Sequence, residues 1–297
     1  MKNLSTAFVV LAALCWGLSG GIGGILISDD WDAFTVSWYR GVIGLLFVLA
    51  WLMLRPDGNG LNNKRLWFWS VVAGIGVAGN FSFYFVSIAE GSVAVAVTLM
   101  YSAPVFVYLV SLLLKLEKST PFKWTSIAIV ILGISLLTEI YDVDSSGVTV
   151  IGVGAGLLAG ISYTIFIFGF KNAVSHGSPQ ATLSIAFAVL VAVLIWPSDN
   201  QDVIAVLSAP DWLLFVVLGI LGAGLSFIIY IKGLKHTAPV VASIVAMAEP
   251  VTASLFGVLL LSESLGLLQI FGMGLILVTV TALSVKSDNQ MTLPSES

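Results

Sequence analysis

The sequence predicts an all-α integral membrane protein with ten transmembrane helices arranged as two inverted five-helix repeats. Three observations predict it: an apolar composition with few charges, an internal duplication at a fixed offset, and a sorting of basic from acidic residues between alternate loops. Of 297 residues, 58% are hydrophobic and 9% charged, with a mean hydropathy of +1.05. That is more apolar surface than a soluble domain of this length can hide, so lipid is the expected solvent.

The duplication appears when the chain is shifted so that Gly76 falls on Gly222. Without a gap, Phe81 then meets Phe227, Tyr84 meets Tyr230, Val95-Ala96 meets Val241-Ala242, Pro104-Val105 meets Pro250-Val251, Leu113-Leu114 meets Leu259-Leu260, and Glu117 meets Glu263. Chance identity in so apolar a stretch would give roughly four matches. The charges do not repeat with the pattern: Arg65 falls on Asp211, Lys123 on Gln269, Lys232 on Val86 and Lys235 on Ala89.

Runs of about 20 apolar residues are long enough to cross a hydrocarbon core of about 30 Å. The first copy, 1–140, holds them near 5–27, 32–54, 66–89, 92–114 and 122–139. The second copy, 147–286, holds them near 148–170, 179–197, 211–234, 239–261 and 265–285. Span 1 follows Lys2 and resembles a signal peptide at first sight. Bulky Leu14 before Cys15 and apolar character up to Ile27 favour a retained span. Its glycines, Gly17, Gly20, Gly21, Gly23 and Gly24, suit close helix packing. Spans 4 and 9 carry Pro104 and Pro250 about halfway along, where a proline removes an intrahelical hydrogen bond and bends the helix. The polar segment 287–297 reads as a short disordered cytoplasmic tail. Because five is odd, the second copy enters the bilayer from the opposite face, which relates the halves by a pseudo-two-fold axis in the membrane plane.

Basic residues test this topology, since positive loops stay cytoplasmic. With ten spans drawn, Lys2, Arg55, Lys64, Arg65, Lys115, Lys118, Lys123, Lys171, Lys232, Lys235 and Lys286 share one face. The opposite face carries Asp29, Asp30, Asp32, Glu90, Glu139, Asp142, Asp144, Asp199, Asp202, Asp211 and Glu263. Both termini are therefore expected in the cytoplasm of a multi-pass protein of the cell (inner or plasma) membrane. Trp31, Trp51, Trp67, Trp69, Trp124, Trp196 and Trp212 lie near span ends and read as interfacial anchors.

The net charge of -4 is a sum over two separated faces and names no partner. Nucleic acid is not an expected partner. The expected partners are a small-molecule solute and the bilayer, with the chain as monomer or homodimer. Cys15 is the single cysteine, and His176 and His236 sit in loops without metal-ligand spacing. No catalytic constellation and no cofactor are expected, with a proton gradient as the candidate driving force.

What remains are groups that are costly in lipid. Arg40 lies about 12 Å below one face and Glu249 about 15 Å above the other, at 1.5 Å rise per residue. A charge at such depth costs on the order of 3 kcal/mol and needs a partner, water or a solute. Either the two share a central cavity, directly or through a ligand, or each anchors structure separately. Before the two prolines stand Tyr101, Ser102 and Ala103 in one copy and Met247, Ala248 and Glu249 in the other. Broken helices at the midplane are where carriers place their sites, so Pro104 and Pro250 are candidate hinges. Trp16, Asn80, Tyr84 and Tyr163 join them as polar or aromatic groups at membrane depth, each open to a packing role as well.

Trp16-Gly17 in span 1, Arg40 in span 2, Ala103-Pro104-Val105 in span 4 and Glu249-Pro250-Val251 followed by Gly257 and Glu263-Ser264-Leu265 resemble the EamA family of the drug/metabolite transporter superfamily. The resemblance implies an inverted-repeat carrier whose central cavity is walled by spans 1 to 4 and 6 to 9, with spans 5 and 10 peripheral. Family members commonly export amino acids, related metabolites or drugs, and some import solutes. A cavity with one charge of each sign, Arg40 and Glu249, fits a zwitterion such as an amino acid, so export of amino acids or related zwitterions by alternating access is the expected function. The alternatives are efflux of lipophilic or cationic drugs, or a non-transporting scaffold or sensor. In that reading Arg40, Asn80, Tyr84, Tyr101, Ser102, Tyr163, Glu249 and Trp16 bind the solute. Ala103 lacks the carboxylate of Glu249 and Ala186 lacks the arginine of Arg40, so the halves are not equivalent.

Overall fold

The structure is a computed structural model that describes residues 5–56, 58–143, 148–262 and 264–292. Lys2, Asp144, Glu263, the side chain of Lys286 and the tail residues 293–297, all assigned a place above, lie outside the described residues.

Its helices are α1 (Ser5–Ser28), α2 (Ala33–Leu54), α3 (Lys64–Ala89), α4 (Val93–Met100), α5 (Ala103–Leu113), α6 (Pro121–Leu137), α7 (Val150–Ala173) and α8 (Pro179–Leu194). There follow α9 (Asn200–Ala205), α10 (Trp212–Gly219), α11 (Ser226–Leu234), α12 (Pro239–Val245), α13 (Ala248–Leu260) and α14 (Leu267–Thr292). Short 3₁₀ turns occupy Ile140–Asp142 and Val206–Ser208, and a π-helical segment, Ile220–Leu225, joins α10 to α11. No strand occurs among the described residues. Helix α14 continues to Thr292, into the segment expected to be disordered.

Polar residues start the helices by accepting orphan backbone N–H groups. Asp32 caps α2 through Thr35 N at 2.8 Å, Ser92 caps α4 through Val95 N, Thr149 caps α7 through Gly152 N, and Ser178 caps α8 through Ala181 N. Pro121 and Pro179 open α6 and α8, where the missing donor costs nothing.

Seven helical stretches are long and apolar enough to cross a membrane, and α6, α8 and the 267–283 stretch of α14 are shorter apolar helices. Only 33% to 61% of the most apolar window of each of the seven is buried inside the protein. Side chains such as Leu46, Leu54, Phe68, Leu113 and Val150 point outward instead, an arrangement that suits lipid and not water.

The packing exchanges between copies. Helix α3 packs on α7 and α8, and its counterpart, α10 to α11 with the π segment, packs on α1 and α2. Helix α1 packs along α13 and α12, and its counterpart α7 packs along α4 and α5. Helices α2 with α8, and α6 with α14, pair with their own counterparts. At the α6 and α14 crossing a side chain at Gly133 would meet the Gly272 carbonyl at 2.9 Å, so the backbones approach as only glycine permits.

The loops sort by charge. At one end Ser178 N–H donates to Asn59 O at 3.0 Å, Gln180 Nε2 to Arg55 O at 3.1 Å, and Lys171 Nζ to Leu234 O at 2.7 Å. At the other end Asp32 N–H donates to Asp202 Oδ2 at 2.9 Å, Trp31 Nε1 to Asp211 Oδ2 at 3.4 Å, and Thr149 N–H to Glu90 O at 3.0 Å. Basic loops thus meet basic loops and acidic loops meet acidic ones.

The proline spans differ from expectation in one respect. Each is two helices, and the interruption lies in the turn before the proline, not at it. Helix α4 stops at Met100 and α5 restarts at Ala103, while α12 stops at Val245 and α13 restarts at Ala248. Pro104 and Pro250 therefore occupy the first turn of a new helix, where no hydrogen bond is lost. The chain tightens at the breaks, with Ser102 N–H donating to Leu99 O at 3.2 Å and Glu249 N–H to Ala246 O at 3.0 Å.

Candidate functional site

A cavity of about 580 Å³ lies between α1, α2, α3 and α4 and reaches inward to α7, α11 and α13. Its mouth is lined by Ile27, Ala33, Ile88, Val93 and Thr138, at the ends of helices that enter the acidic loops. Its floor is lined by Trp16, Tyr163, Phe166, Phe227 and Glu249, near mid-helix. No residue of the basic loops lines it. The cavity therefore opens at the acidic end and stops halfway through the protein.

Arg40 and Glu249 both line this cavity. They interact electrostatically but form no ion pair with each other. Arg40 donates from Nη2 to the carbonyl of Gly222 at 2.8 Å and lies 5.1 Å from the centroid of the Phe81 ring. Gly222 belongs to the π segment, where the widened turn loosens the usual ladder and leaves carbonyls available to a side chain. Because glycine lacks a side chain, the guanidinium can approach: a Cβ at Gly222 would stand 2.8 Å from Arg40 Nε. The arginine is thus held against one wall by backbone and aromatic contacts, with donors left for a ligand.

Glu249 sits at the start of α13, directly after the break. A helix N-terminus favours negative charge there. Tyr101, at the matching break of the first copy, interacts with Glu249, and Tyr84 and Tyr163 lie within its field. The two breaks therefore deliver a phenol and a carboxylate to one place.

Asn80 lines the cavity and donates from Nδ2 to Ala159 O at 3.0 Å, tying α3 to α7. Trp16 lines it while packing on Phe227 at 5.0 Å and Tyr230 at 4.9 Å, so wall and packing roles coincide. Its indole Nε1 and the Tyr163 hydroxyl are buried without a protein partner. Two polar groups without partners on a cavity floor are places where a ligand atom gains a hydrogen bond that the protein does not supply.

Ser102 is the exception among the sequence-derived residues. Its hydroxyl donates to Leu99 O at 2.6 Å, closing the break, and it does not line the cavity. Pro104 is buried in α5 and also stands away from the lining, whereas Pro250 belongs to it. The glycine run of α1 serves two ends: Gly17 and Gly21 press against α13, Gly20 and Gly24 have open space beside them, and Gly17, Gly20, Gly23 and Gly24 line the cavity.

Sequence reasoning did not assign Ser19, Ser37, Phe81 or Ser254, all of which line the cavity. Phe81 carried a signal, as it repeats at Phe227. The serines carried none, since one hydroxyl in an apolar helix looks alike on every face.

The sequence model described as the EamA-like transporter family matches residues 4–139 and again residues 150–285. The chain is 26% identical to "Uncharacterized transporter YxxF" of Bacillus subtilis (strain 168), over 93% of this chain and 91% of that protein. It is 24% identical to "Uncharacterized transporter YwfM" of the same organism, over 98% and 97%. A third relative, an uncharacterized transporter of Archaeoglobus fulgidus, is 26% identical over 92% and 94%. A solved crystal structure at 18% identity shares the fold with a TM-score of 0.74, over 97% of this chain and 99% of the other.

Proposed function

The chain belongs to the EamA-like transporter family of the drug/metabolite transporter superfamily, and from that membership we propose that it is a secondary exporter of small zwitterionic metabolites, amino acids foremost. The observation that carries this reading is the placement of Arg40 and Glu249 on one cavity without an ion pair between them. Two opposite charges that do not neutralise each other suit a solute that bears both. Arg40 takes the carboxylate, where a planar fork of donors matches its geometry. Glu249 takes the amine or a coupling proton, and Tyr84, Tyr101 and Tyr163 hold the body of the solute. The cavity size falls within the range of small-molecule sites.

In this reading all ten apolar helices cross the bilayer, α6 and α8 being the shortest at roughly 24 to 26 Å. The two copies then run in opposite directions, the basic loops and both termini are cytoplasmic, and the cavity faces outward. Alternating access follows as the copies exchange conformations about the axis between them.

One observation favours a second reading. Phe81, Phe85, Phe166 and Phe227 line the cavity, and aromatic faces attract lipophilic cations. Counterflow in proteoliposomes, with a panel of labelled amino acids beside labelled lipophilic cations, separates the two. Saturable exchange of an amino acid supports the zwitterion site. Saturable exchange of cations alone replaces it with drug efflux, and exchange of neither class by folded protein overturns both.

A further inference from the structure

The cavity explains why Trp16 Nε1 and the Tyr163 hydroxyl lack protein partners, but three deeper hydroxyls are left over. Thr182 Oγ1, Ser226 Oγ and Tyr230 Oη have no hydrogen-bond partner, and each residue is 0% exposed. Burying an unpaired hydroxyl is unfavourable, and a native protein that keeps three of them needs a reason.

The internal duplication supplies one. At the offset that lays Gly76 on Gly222, Thr182 corresponds to Val36, Ser226 to Asn80 and Tyr230 to Tyr84. All three of those first-copy residues line the cavity. The register of α2 against α8 is fixed independently, because their N-caps Asp32 and Ser178 stand at the same offset. Ser70, Ser111 and Ser184 also lack partners without this correspondence, so position and not burial alone defines the set.

Each lies in the half of its span that leads to the basic loops. Tyr230 packs on Trp16, with ring centroids 4.9 Å apart, and is four residues from the end of α11. Thr182 is near the start of α8, two residues after Gln180, whose side chain donates to Arg55 O. They occupy, at the closed end, the places that Val36, Asn80 and Tyr84 occupy at the open end.

The closed end is also held by a specific contact. Lys171, in the last turn of α7, donates from Nζ to Leu234 O at 2.7 Å, Lys235 O at 3.1 Å and Thr237 O at 2.8 Å. An ammonium on the free carbonyls of a helix C-terminus is a charge-assisted cap. It ties α7 to the end of α11. The corresponding position in the first copy is Ile25, which has no donor to tie α1 to the end of α3, and there the cavity stands open.

We propose that Thr182, Ser226 and Tyr230 form a second, closed half of the solute site, which opens toward the basic loops when the Val36, Asn80 and Tyr84 half closes, and that Lys171 is its latch. The inference rests on the alternating-access reading above and names the residues that the opposite state exposes. As uncharged hydroxyls they take the neutral hydrogen-bonding groups of the same polar solute.

Cysteine accessibility tests it. In a Cys15→Ser background, which removes the single native cysteine, Asn80→Cys, Thr182→Cys and Ser226→Cys are each treated with a membrane-impermeant thiol reagent from either side, in spheroplasts and in inside-out vesicles. Asn80→Cys is expected to react from one side, and Ser226→Cys and Thr182→Cys only from the other. Adding Lys171→Met is expected to raise the Ser226→Cys rate severalfold and to lower that of Asn80→Cys. If the second-copy cysteines react from neither side, or from the same side as Asn80→Cys, the closed half-site is wrong. Solute counterflow by the Cys15→Ser protein, run in parallel, keeps the two failures apart: flux with unreactive second-copy cysteines sinks this proposal alone, whereas no flux sinks the transport reading.

Discussion

Arg40 of α2 donates to the carbonyl of Gly222 at 2.8 Å, joining the charged residue of one copy to the π segment of the other. The contact depends on a missing side chain. A Cβ at Gly222 would lie 2.6 Å from Ser19 Oγ and 2.8 Å from Arg40 Nε. Gly222→Ala is therefore expected to displace the guanidinium and to press on Ser19 of α1, so binding is read on protein first shown to be folded. Hydrogen bonds to charged groups contribute about 1.5 to 3 kcal/mol, so solute affinity is expected to fall on the order of tenfold to a hundredfold. The KM for counterflow reads this, and an unchanged KM would mean that Gly222 does not position Arg40 for binding.

The two kinds of glycine in α1 make opposite predictions. At Gly17 a Cβ would lie 2.5 Å from the Glu249 carbonyl and 2.5 Å from Thr252 Cβ, so Gly17→Ala must push α1 off α13. Overpacking of this kind costs about 1 to 3 kcal/mol. Gly20 has nothing within 4 Å. Gly20→Ala is expected to leave thermal stability in detergent unchanged, and equal losses for the two variants would contradict the assignment of faces.

Much of this was legible in the chain, and for physical reasons. Lipid demands long apolar runs with backbone bonds satisfied internally, so the runs around Arg40 and Glu249 announce themselves. Their depth along the axis is counted at a fixed rise per residue, which is why their meeting in one cavity could be anticipated. Rotation about that axis is another matter. A helix that is apolar all round carries no moment to show its inner face. Ser102 was therefore assigned to the site and Ser37 was not, although Ser37 lines the cavity and Ser102 closes a turn on Leu99. The π segment was hidden because Ile220–Leu225 reads like any glycine-rich helix. Lys171 read only as a basic loop marker, since nothing in its neighbours names the carbonyls it meets across the fold.

Glu249 is the candidate proton carrier, and its neutral isostere isolates that role. Glu249→Gln is expected to abolish the response of solute flux to a pH jump while counterflow at constant pH persists at reduced affinity. Flux driven equally well by a pH step in the variant would remove Glu249 from proton coupling.

Away from the cavity, the Tyr108 hydroxyl accepts from Thr120 N–H at 2.7 Å and donates to Lys118 O at 3.4 Å, while Lys123 pairs with Glu117 nearby. These contacts staple the turn between α5 and α6. Tyr108→Phe leaves the Thr120 N–H without that acceptor and is expected to cost about 1 kcal/mol of stability. Melting in detergent checks the loss, and an unchanged counterflow rate checks that the staple is structural.

The central claim is that Arg40 and Glu249 grip opposite ends of one solute, and solutes altered at one end test it most directly. Counterflow is measured for an exchanged amino acid, its decarboxylated amine and its deaminated carboxylic acid, each with wild type, Arg40→Gln and Glu249→Gln. Wild type is expected to prefer the full zwitterion, Arg40→Gln to lose its preference for the carboxylate alone, and Glu249→Gln to lose its preference for the amine alone. If both variants lower all three solutes by the same factor, the two charges hold the protein together and not the solute.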